Sequence, residues 1–232
     1  MADPFQPTIS TGDILAEAGA LFARNRVLVV LAAALLAGEL FAFDMLLQWF
    51  GLGRPGTHAL YSLANIPLRL LTDYTVATLL IASERLNPRR WSIMSLLSYA
   101  VLSTLAGLAM LAGFAALIVP GVVLAIRWSI AGNFAIARGL GPVDSLRASW
   151  RATRGSAGGI FGALALVGMI SVIGEFALSG HLGSTPAQLP PGMVMVRDVF
   201  TGLTGAAGAC INVAIYALLA GAQDKTIGNV FD

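Results

Sequence analysis

Six long apolar stretches alternate with short polar segments along this chain. They run from Val27 to Phe50, Ala59 to Ser83, Met94 to Val119, Pro120 to Ala137, Ile160 to Leu178 and Val196 to Ala222. A helix needs about 20 consecutive apolar residues to cross the hydrocarbon core of a bilayer. The pattern therefore predicts an all-α fold, in which residues 1–232 form a single integral membrane domain built as a bundle of six transmembrane helices.

Helical periodicity outside these stretches predicts two amphipathic helices, at approximately 10–24 and 142–154. The first follows Ser10-Thr11-Gly12-Asp13, which has the spacing of a capping box. The second begins at Pro142, a favoured first helical residue, and ends by Gly155. We expect both to lie at the inner membrane surface, and four residues of the second to contact lipid there: Arg147, Trp150, Arg151 and Arg154. A cytoplasmic connector that is basic only because of its topology is the alternative for the second helix.

Composition and charge agree with a membrane protein. The chain is 57% hydrophobic and 11% charged, whereas an average soluble domain has about 25% charged residues. The net charge is +2, and the basic residues lie beside the apolar stretches rather than in one patch. This distribution argues against a nucleic-acid partner and favours anionic lipid. Cys210 is the only cysteine, so an internal disulfide is excluded.

The distribution of Lys and Arg predicts the orientation. Ten of the fourteen lie on alternate segments that would face one side of the membrane, two (Arg54 and Arg197) would face the other, and Arg69 and Arg127 lie inside apolar stretches. Because basic residues are retained in the cytoplasm, both termini are predicted to be cytoplasmic. The first apolar stretch is longer than a signal-peptide core, and we expect it to be retained as a span.

A sharp turn is predicted at Pro120 and Gly121. They are the only interruption in the apolar run from Leu111 to Ile126, and proline removes an amide donor and clashes with the preceding helical turn. The third and fourth spans should therefore form a tight hairpin at the outer surface. The alternative is a single kinked helix of nearly twice the usual length, which would invert the orientation of everything after it.

These residues also carry a resemblance. The segments Ile118 to Trp128 and Gly141 to Gly155 resemble the signature of a large group of bacterial six-span inner-membrane proteins, which includes the membrane domain of some glycerophosphoryl diester phosphodiesterases and related uncharacterised families. That signature is a Pro-Gly turn, an amphipathic fourth span, and an Ala-Leu-x-x-Ser helix followed by a basic residue and Gly; Ser145 replaces its alanine here. The resemblance covers Gly113 to Gly159 and is only topological elsewhere. It implies a fold and a bacterial inner-membrane location, but no activity, because we expect no room for the soluble catalytic domain of those esterases.

Ionisable residues inside the apolar stretches are the main candidates for function. They are Glu39, Asp44, Arg69, Asp73, Arg127 and Glu175. Each costs roughly 2.5 to 3.5 kcal/mol at the centre of a membrane helix, so they should face the bundle interior and pair with one another. At about 1.5 Å per residue, four of them come to a similar depth, roughly 18 to 23 Å from the inner boundary: Glu39, Arg69, Arg127 and Glu175.

We therefore predict an intramembrane charged layer formed by these four residues and Asp73, which lies one helical turn from Arg69 and can pair with it. Asp44 lies nearer the outer boundary and is expected to be hydrated. Two interpretations of the layer remain open. It is a buried ion-pair lock that holds spans one, two, four and five together, or it is the wall of a water-filled cavity that holds an anionic headgroup or solute and exchanges protons.

Other motifs carry less information. Gly158-x-x-x-Gly162 in span five and Gly202, Gly205 and Gly208 in span six predict close helix packing, within the chain or at a dimer interface. The loop from Gly180 to Gly192, with its three prolines, is predicted to be extended. His58 and His181 fall in the outer loops, and no metal site is predicted.

The functional expectation is a non-enzymatic protein of structural or accessory type that supports the envelope or a partner membrane complex, with a partner membrane protein or a second copy as the proposed contact. No cofactor and no catalytic residue are predicted, since no phosphate-binding loop, metalloprotease pair or nucleophile elbow occurs in the sequence. The alternative is a small transporter or lipid-handling protein built around the charged layer. An intramembrane enzyme comes third, because the spans supply no recognisable pair of nucleophile and base.

Overall fold

The computed structural model describes residues 8–49, 58–84, 86, 92–179 and 190–231, and these are helical apart from short connections. The helices are α1 (Thr11–Arg24), α2 (Arg26–Trp49), α3 (His58–Ser83), α4 (Ile93–Ala116), α5 (Ile118–Trp128), α6 (Ala131–Arg138), α7 (Pro142–Ala152), α8 (Ala157–Ser179) and α9 (Pro191–Phe231). Six segments are long and apolar enough to cross a membrane: Arg26–Leu46, Asn65–Ser83, Ile93–Ala116, Ile118–Arg138, Ala157–Leu178 and Gly192–Leu219. The all-α fold with six membrane spans is therefore confirmed.

The fourth and sixth spans differ in detail from the prediction. The fourth consists of α5 and α6, with a turn at Ser129 and Ile130 between them. The sixth belongs to a 41-residue helix that begins at Pro191, so the end of the predicted loop Gly180 to Gly192 is helical; residues 180–189, including His181, lie outside the described residues. His58 was assigned to a loop but is the first residue of α3. Proline is favoured at the first helical position, which accounts for the start of α9.

The hairpin between the third and fourth spans is present, but its turn was placed three residues too late. The chain reverses at Leu117, whose backbone is extended (φ −163°, ψ 148°). Pro120 lies in the first turn of α5, where its missing N–H would have no helical acceptor. Gly121 lies at the contact with α4, since a Cβ added at Gly113 would be 3.0 Å from the Gly121 Cα. The Pro-Gly pair therefore starts the returning helix and lets it approach α4.

Helix α1 packs on the bundle. Its capping box is confirmed, because the Ser10 hydroxyl accepts from the Asp13 N–H (3.2 Å) and the Asp13 carboxylate accepts from the Ser10 N–H (2.9 Å). These hydrogen bonds from Ser10 hold the pKa of Asp13 below its ordinary value. Ile14 and Leu21 are fully buried, and Ile14 belongs to a core cluster with residues of α8 and α9. The apolar face that we assigned to the inner leaflet is thus covered by protein.

The end of α1 is tied to the end of α3. Arg24 contacts Glu17 at 2.7 Å and Glu84 at 2.8 Å, and Asn25 donates to Glu84 at 2.6 Å. The two carboxylates raise the pKa of the Arg24 guanidinium. These ion pairs and this hydrogen bond hold the C-terminal end of α1 against the C-terminal end of α3.

Helices α2 and α9, the first and last spans, pack closely through glycines. A Cβ added at Gly202 would lie 2.5 Å from the carbonyl oxygen of Ala33, and one at Gly205 would lie 3.2 Å from the Leu36 side chain. Small residues allow such close approach of membrane helices. These two glycines therefore pack within the chain as predicted, whereas Gly158 and Gly208 have no atom of the described structure within 4 Å of a Cβ position.

Candidate binding cavity and buried ion-pair cluster

Arg69 and Asp73 form an ion pair on α3. The Arg69 Nε lies 3.3 Å from the Asp73 Oδ2, and the two side chains are 34% and 40% exposed. The predicted i,i+4 pair is thus present. Its exposure shows that it is not enclosed by packed side chains on all sides.

The pair lies in the wall of a cavity of about 350 Å³ between α3, α4, the junction of α5 and α6, and α9. Ligand pockets typically have volumes of about 300–1,000 Å³. The polar residues of the wall are Arg69, Asp73, Tyr99, Ser103, Ser129, Asn133 and Asn212. Asn133 is held in place by a hydrogen bond from its Nδ2 to the Asn212 carbonyl (2.7 Å). The cavity therefore combines one ion pair with hydroxyl and amide groups.

The cavity lies beside the break in the fourth span. In a continuous helix the Arg127 carbonyl would accept from the Ala131 N–H. Here it accepts a hydrogen bond from the Ser149 hydroxyl of α7 (2.7 Å), while the Thr153 hydroxyl, 3.4 Å away, donates to the Ser149 carbonyl at 2.9 Å. Gly132, just after the break, allows close approach of the Tyr99 ring, 2.9 Å from a Cβ position. Irregular backbone at membrane depth is tolerated where it is buried in protein or lines a cavity, and α7 supplies the missing hydrogen bond here.

Arg127 does not join the Arg69 pair. Its guanidinium lies 5.6 Å from the centre of the Trp150 ring, and Trp150 also packs on Trp128 at 6.4 Å. We had assigned Arg127 to the charged layer and Trp150 to the lipid surface. The assignment of Arg127 is corrected, because α7 packs on α5 and α6 and brings Trp150 against the guanidinium. Trp150 is only half-buried, and its contact with lipid stays a prediction.

The three arginines in and just after α7 lie on an exposed face, as an amphipathic helix requires, but the face that packs on the protein is formed by small residues rather than by large apolar ones. Ser145, Ser149 and Ala152 are buried against the protein, whereas the three arginines at positions 147, 151 and 154 are exposed. Arg147 makes a 3.8 Å ion pair with Asp144. Contact of these arginines with anionic lipid stays a prediction.

A second cavity, of about 400 Å³, lies on the other side of Arg69, between α3, α8 and α9. Its polar wall is formed by Arg69, Ser171, Glu175, Thr201 and Thr204. Gly205 belongs to the walls of both cavities, and a Cβ there would lie 3.6 Å from the Arg69 Nη2. Arg69 is thus shared by two cavities that meet beside Gly205. Glu175 lines the second cavity together with Arg69, and the sequence had predicted both residues to lie in one charged layer.

Glu39 of α2 is a further charged residue close to Arg69 and Asp73. It is only 7% exposed, and it interacts electrostatically with Arg69 and Asp73 of α3. Within the described part of the chain, neither carboxyl oxygen has a hydrogen-bond partner. Three of the five predicted layer residues, Arg69, Asp73 and Glu175, therefore line the two cavities, and Glu39 interacts with the first two from α2 without being a wall residue of either cavity.

A separate buried cluster joins α2 to α9. The Arg197 Nη2 lies 2.6 Å from the Asp44 Oδ2 and 2.8 Å from the Asp198 Oδ1. Asp44 and Asp198 are 0% and 1% exposed, and Arg197 is 8% exposed. The prediction that Asp44 is hydrated was wrong, because Asp44 is enclosed by protein and paired with Arg197, which had been counted on the outer side. This cluster is a buried ion-pair group between the first and last spans, and none of the five predicted layer residues belongs to it.

The signal for the cluster was present in the sequence. Pro190-Pro191-Gly192 marks a helix start, and beginning the last helix there places Arg197 and Asp198 inside it. The apolar count began the span at Val196, which put Arg197 and Asp198 at its very end, whereas a start at Pro191 puts them more than one turn inside the helix. Asp198 was not considered as a site residue at all.

Among the described residues, no group of three or more His, Cys, Asp or Glu side chains is placed to hold a metal ion. Comparison of the chain with protein families, with curated proteins and with solved structures gives no match.

Proposed function

We propose that this chain is a membrane protein of transport or lipid-handling type that binds a small anionic solute or an anionic lipid headgroup at Arg69. The observation that carries the proposal is the partly exposed Arg69–Asp73 pair, which lies in a polar cavity at the broken fourth span. Ionisable residues at membrane depth that line a cavity mark solute or ion paths, and discontinuous helices form many of the binding sites in transporters.

The chemistry of Arg69 favours an anion. A guanidinium has five N–H donors in a planar fork, and Asp73 contacts it at Nε. The Nη2 group points past Gly205, where the two cavities meet. Carboxylate and phosphate groups match this fork with two parallel hydrogen bonds. The hydroxyl and amide groups of the first cavity would hold the uncharged polar part of the ligand.

Cysteine labelling tests whether water and anions reach the cavities. In a Cys210→Ser background, Ser103→Cys places a thiol in the first cavity and Ser171→Cys places one in the second. Ser145→Cys is the matched control, because Ser145 is fully buried outside both cavities. We expect the two cavity thiols to react with membrane-impermeant thiosulfonate reagents, and the control thiol to stay unreactive.

The charge of the reagent tests the role of Arg69. An anionic thiosulfonate should react faster than a cationic one at Ser103→Cys, and Arg69→Gln should abolish the difference. Protection by inorganic phosphate in solution would identify a free solute, and protection only in vesicles that contain anionic phospholipid would identify a headgroup. No reaction at either cavity position in folded protein would contradict a transport function.

The second proposal is the accessory role expected from the sequence, a non-enzymatic protein that supports the envelope or a partner membrane complex. It is supported by the buried Asp44–Arg197–Asp198 cluster, which holds the first and last spans together, and by the docking of α1 on α8 and α9. Unreactive cavity thiols, together with recovery of the same partner or of a second copy after cross-linking, would favour this role.

We further propose a location in the bacterial inner membrane with both termini in the cytoplasm. The charge count supports this orientation, since ten of the fourteen Lys and Arg lie beside the spans on the side predicted to be cytoplasmic and only two were counted on the other, one of which, Arg197, belongs to the buried cluster. The exposed arginines of α7 would then face anionic lipid of the inner leaflet. A reporter fused at the C-terminus that works only in the cytoplasm tests the orientation.

A further inference from the structure

Glu39 has an environment that suits a neutral carboxylic acid better than a carboxylate. It lies in the first span with 7% of its surface exposed, and no donor of the described residues reaches either oxygen. An ionised carboxyl group in such a place loses its hydration without replacement and is strongly disfavoured. Protonation removes that cost.

The hydroxyl of Thr72 gives a second argument. Thr72 is buried and faces Glu39 from α3, but its hydroxyl donates to the Leu68 carbonyl at 3.1 Å. A hydroxyl has one proton, so Thr72 can only accept a further hydrogen bond. In this arrangement Thr72 would accept a hydrogen bond from protonated Glu39, and after rotation of its hydroxyl it would donate to the carboxylate. Thr72 can therefore partner either state of Glu39, which suits a group that binds and releases a proton.

We propose that Glu39 binds and releases a proton in step with anion binding at Arg69. The inference rests on the proposed function and adds proton coupling to it. With an anion at Arg69, the nearby negative charge keeps Glu39 protonated. When the anion leaves, Arg69 can stabilise a carboxylate at Glu39: the Glu39 O–H bond breaks, its electron pair stays on the carboxylate, and the proton passes to water that enters from the first cavity, whose wall includes Leu36, one turn before Glu39 on α2.

The surroundings of Glu39 make Arg69 the relevant cation. Helix α3 brings Arg69 and Asp73 toward it. On α9, Arg197 and Asp198 are engaged with Asp44. On α1, the charged groups Glu17 and Arg24 lie in the exposed network with Glu84. An ionised Glu39 would thus compete with the ligand for Arg69, so that one anion and one proton bind together.

The test measures the ratio of the labelling rates of anionic and cationic thiosulfonates at Ser103→Cys as a function of pH. The thiolate fraction affects both rates equally and cancels in the ratio. Ionisation of Glu39 neutralises the field of Arg69, so the ratio should fall on the order of tenfold through a single titration as the pH rises, by a Coulomb estimate over several ångströms in a hydrated cavity. Glu39→Gln should keep the ratio high at every pH.

Asp73→Asn is the control, since it removes the other acid of the pair and should retain the titration. A ratio that does not change with pH in otherwise reactive protein overturns proton coupling and leaves anion binding intact. A titration that persists in Glu39→Gln also overturns it, because another group is then responsible. No labelling at Ser103→Cys overturns both proposals, since the proton and the anion need the same water. Infrared spectra of reconstituted protein give an independent result: the protonated-carboxyl band should disappear in Glu39→Gln.

Discussion

Replacing Arg197 with Met removes the cation of the buried cluster while keeping a side chain of similar length. The change leaves Asp44 and Asp198, which are 0% and 1% exposed, without that positive charge. Arg69→Met is the matched comparison, because it also removes an arginine from an Asp partner inside a span, but the side chains of that pair are 34% and 40% exposed. The two substitutions differ mainly in how tightly protein encloses the remaining acid, and under the proposed function water reaches Asp73 but not Asp44 or Asp198.

The expected magnitudes differ accordingly. Removing one partner of a buried pair costs about 3–5 kcal/mol, whereas a solvated ion pair contributes about 0–1 kcal/mol. For a protein of 150–250 residues, 1 kcal/mol corresponds to a shift in Tm of about 2–4 °C. We therefore expect Arg197→Met to lower Tm by roughly 6–20 °C and Arg69→Met to lower it by no more than about 4 °C.

The chain contains its own reporter for this assay. Cys210 is the only cysteine and is 4% exposed in the folded protein, so a fluorogenic thiol reagent reacts with it as the fold opens. Heating purified wild type and both variants in the same detergent with this reagent gives the three values of Tm. Equal shifts in the two variants, or a wild-type Tm for Arg197→Met, would refute the distinction between a packed cluster and a hydrated pair.

Two further predictions concern packing and pH. Gly202→Ala should destabilise the protein by about 1–3 kcal/mol, because overpacking forces helices apart and the new Cβ would lie 2.5 Å from the Ala33 oxygen. Gly208→Ala places its Cβ in open space, so it should leave Tm unchanged or slightly raised. The same thermal assay measures both variants. The Ser10–Asp13 capping box lowers the pKa of Asp13 from its ordinary 3.8, so its stabilisation of α1 is full above that value and is lost as the pH falls through the lowered pKa. Amide exchange of α1, corrected for intrinsic rates, should show this loss in wild type but not in Asp13→Asn.

Apolar length and capping chemistry were sufficient to predict most of the helices. The spans are long apolar runs, and the starts of α1 and α7 follow from a capping box and from an N-terminal proline. These are local signals, and neighbouring helices do not override them. The end of the third span is similar, since the reversal lies within three residues of the predicted Pro120.

The break in the fourth span has no such local signal. The turn at Ser129 and Ile130 contains neither proline nor glycine. It is stabilised by the hydroxyl of Ser149 in α7, which lies 22 residues away in the sequence and donates to the Arg127 carbonyl. Hydrophobic periodicity therefore could not predict the cavity beside this break, although the two residues of its ion pair, Arg69 and Asp73, were predicted from the sequence.

The sequence predicted which charged residues lie within spans better than it predicted which of them contact one another. Depth along a helix can be estimated from the sequence, but rotation about its axis cannot, and rotation decides which neighbour a side chain meets. Arg127 lies within the fourth span, but it faces Trp150 of α7 rather than Arg69. Asp44 was expected to be hydrated, yet it meets Arg197, 153 residues later in the chain.

The pairing of the first span with the last also determines when this protein can finish folding. Asp44 leaves the ribosome long before Arg197 is synthesised, and Gly202 and Gly205, which receive α2, follow Arg197. During synthesis the first span therefore enters the membrane with Asp44 before Arg197 exists to pair with it. Until then the first span must stay close to the insertion machinery or to a chaperone that tolerates the charge. Any condition that delays the last span would lengthen the exposure of the first to membrane quality control.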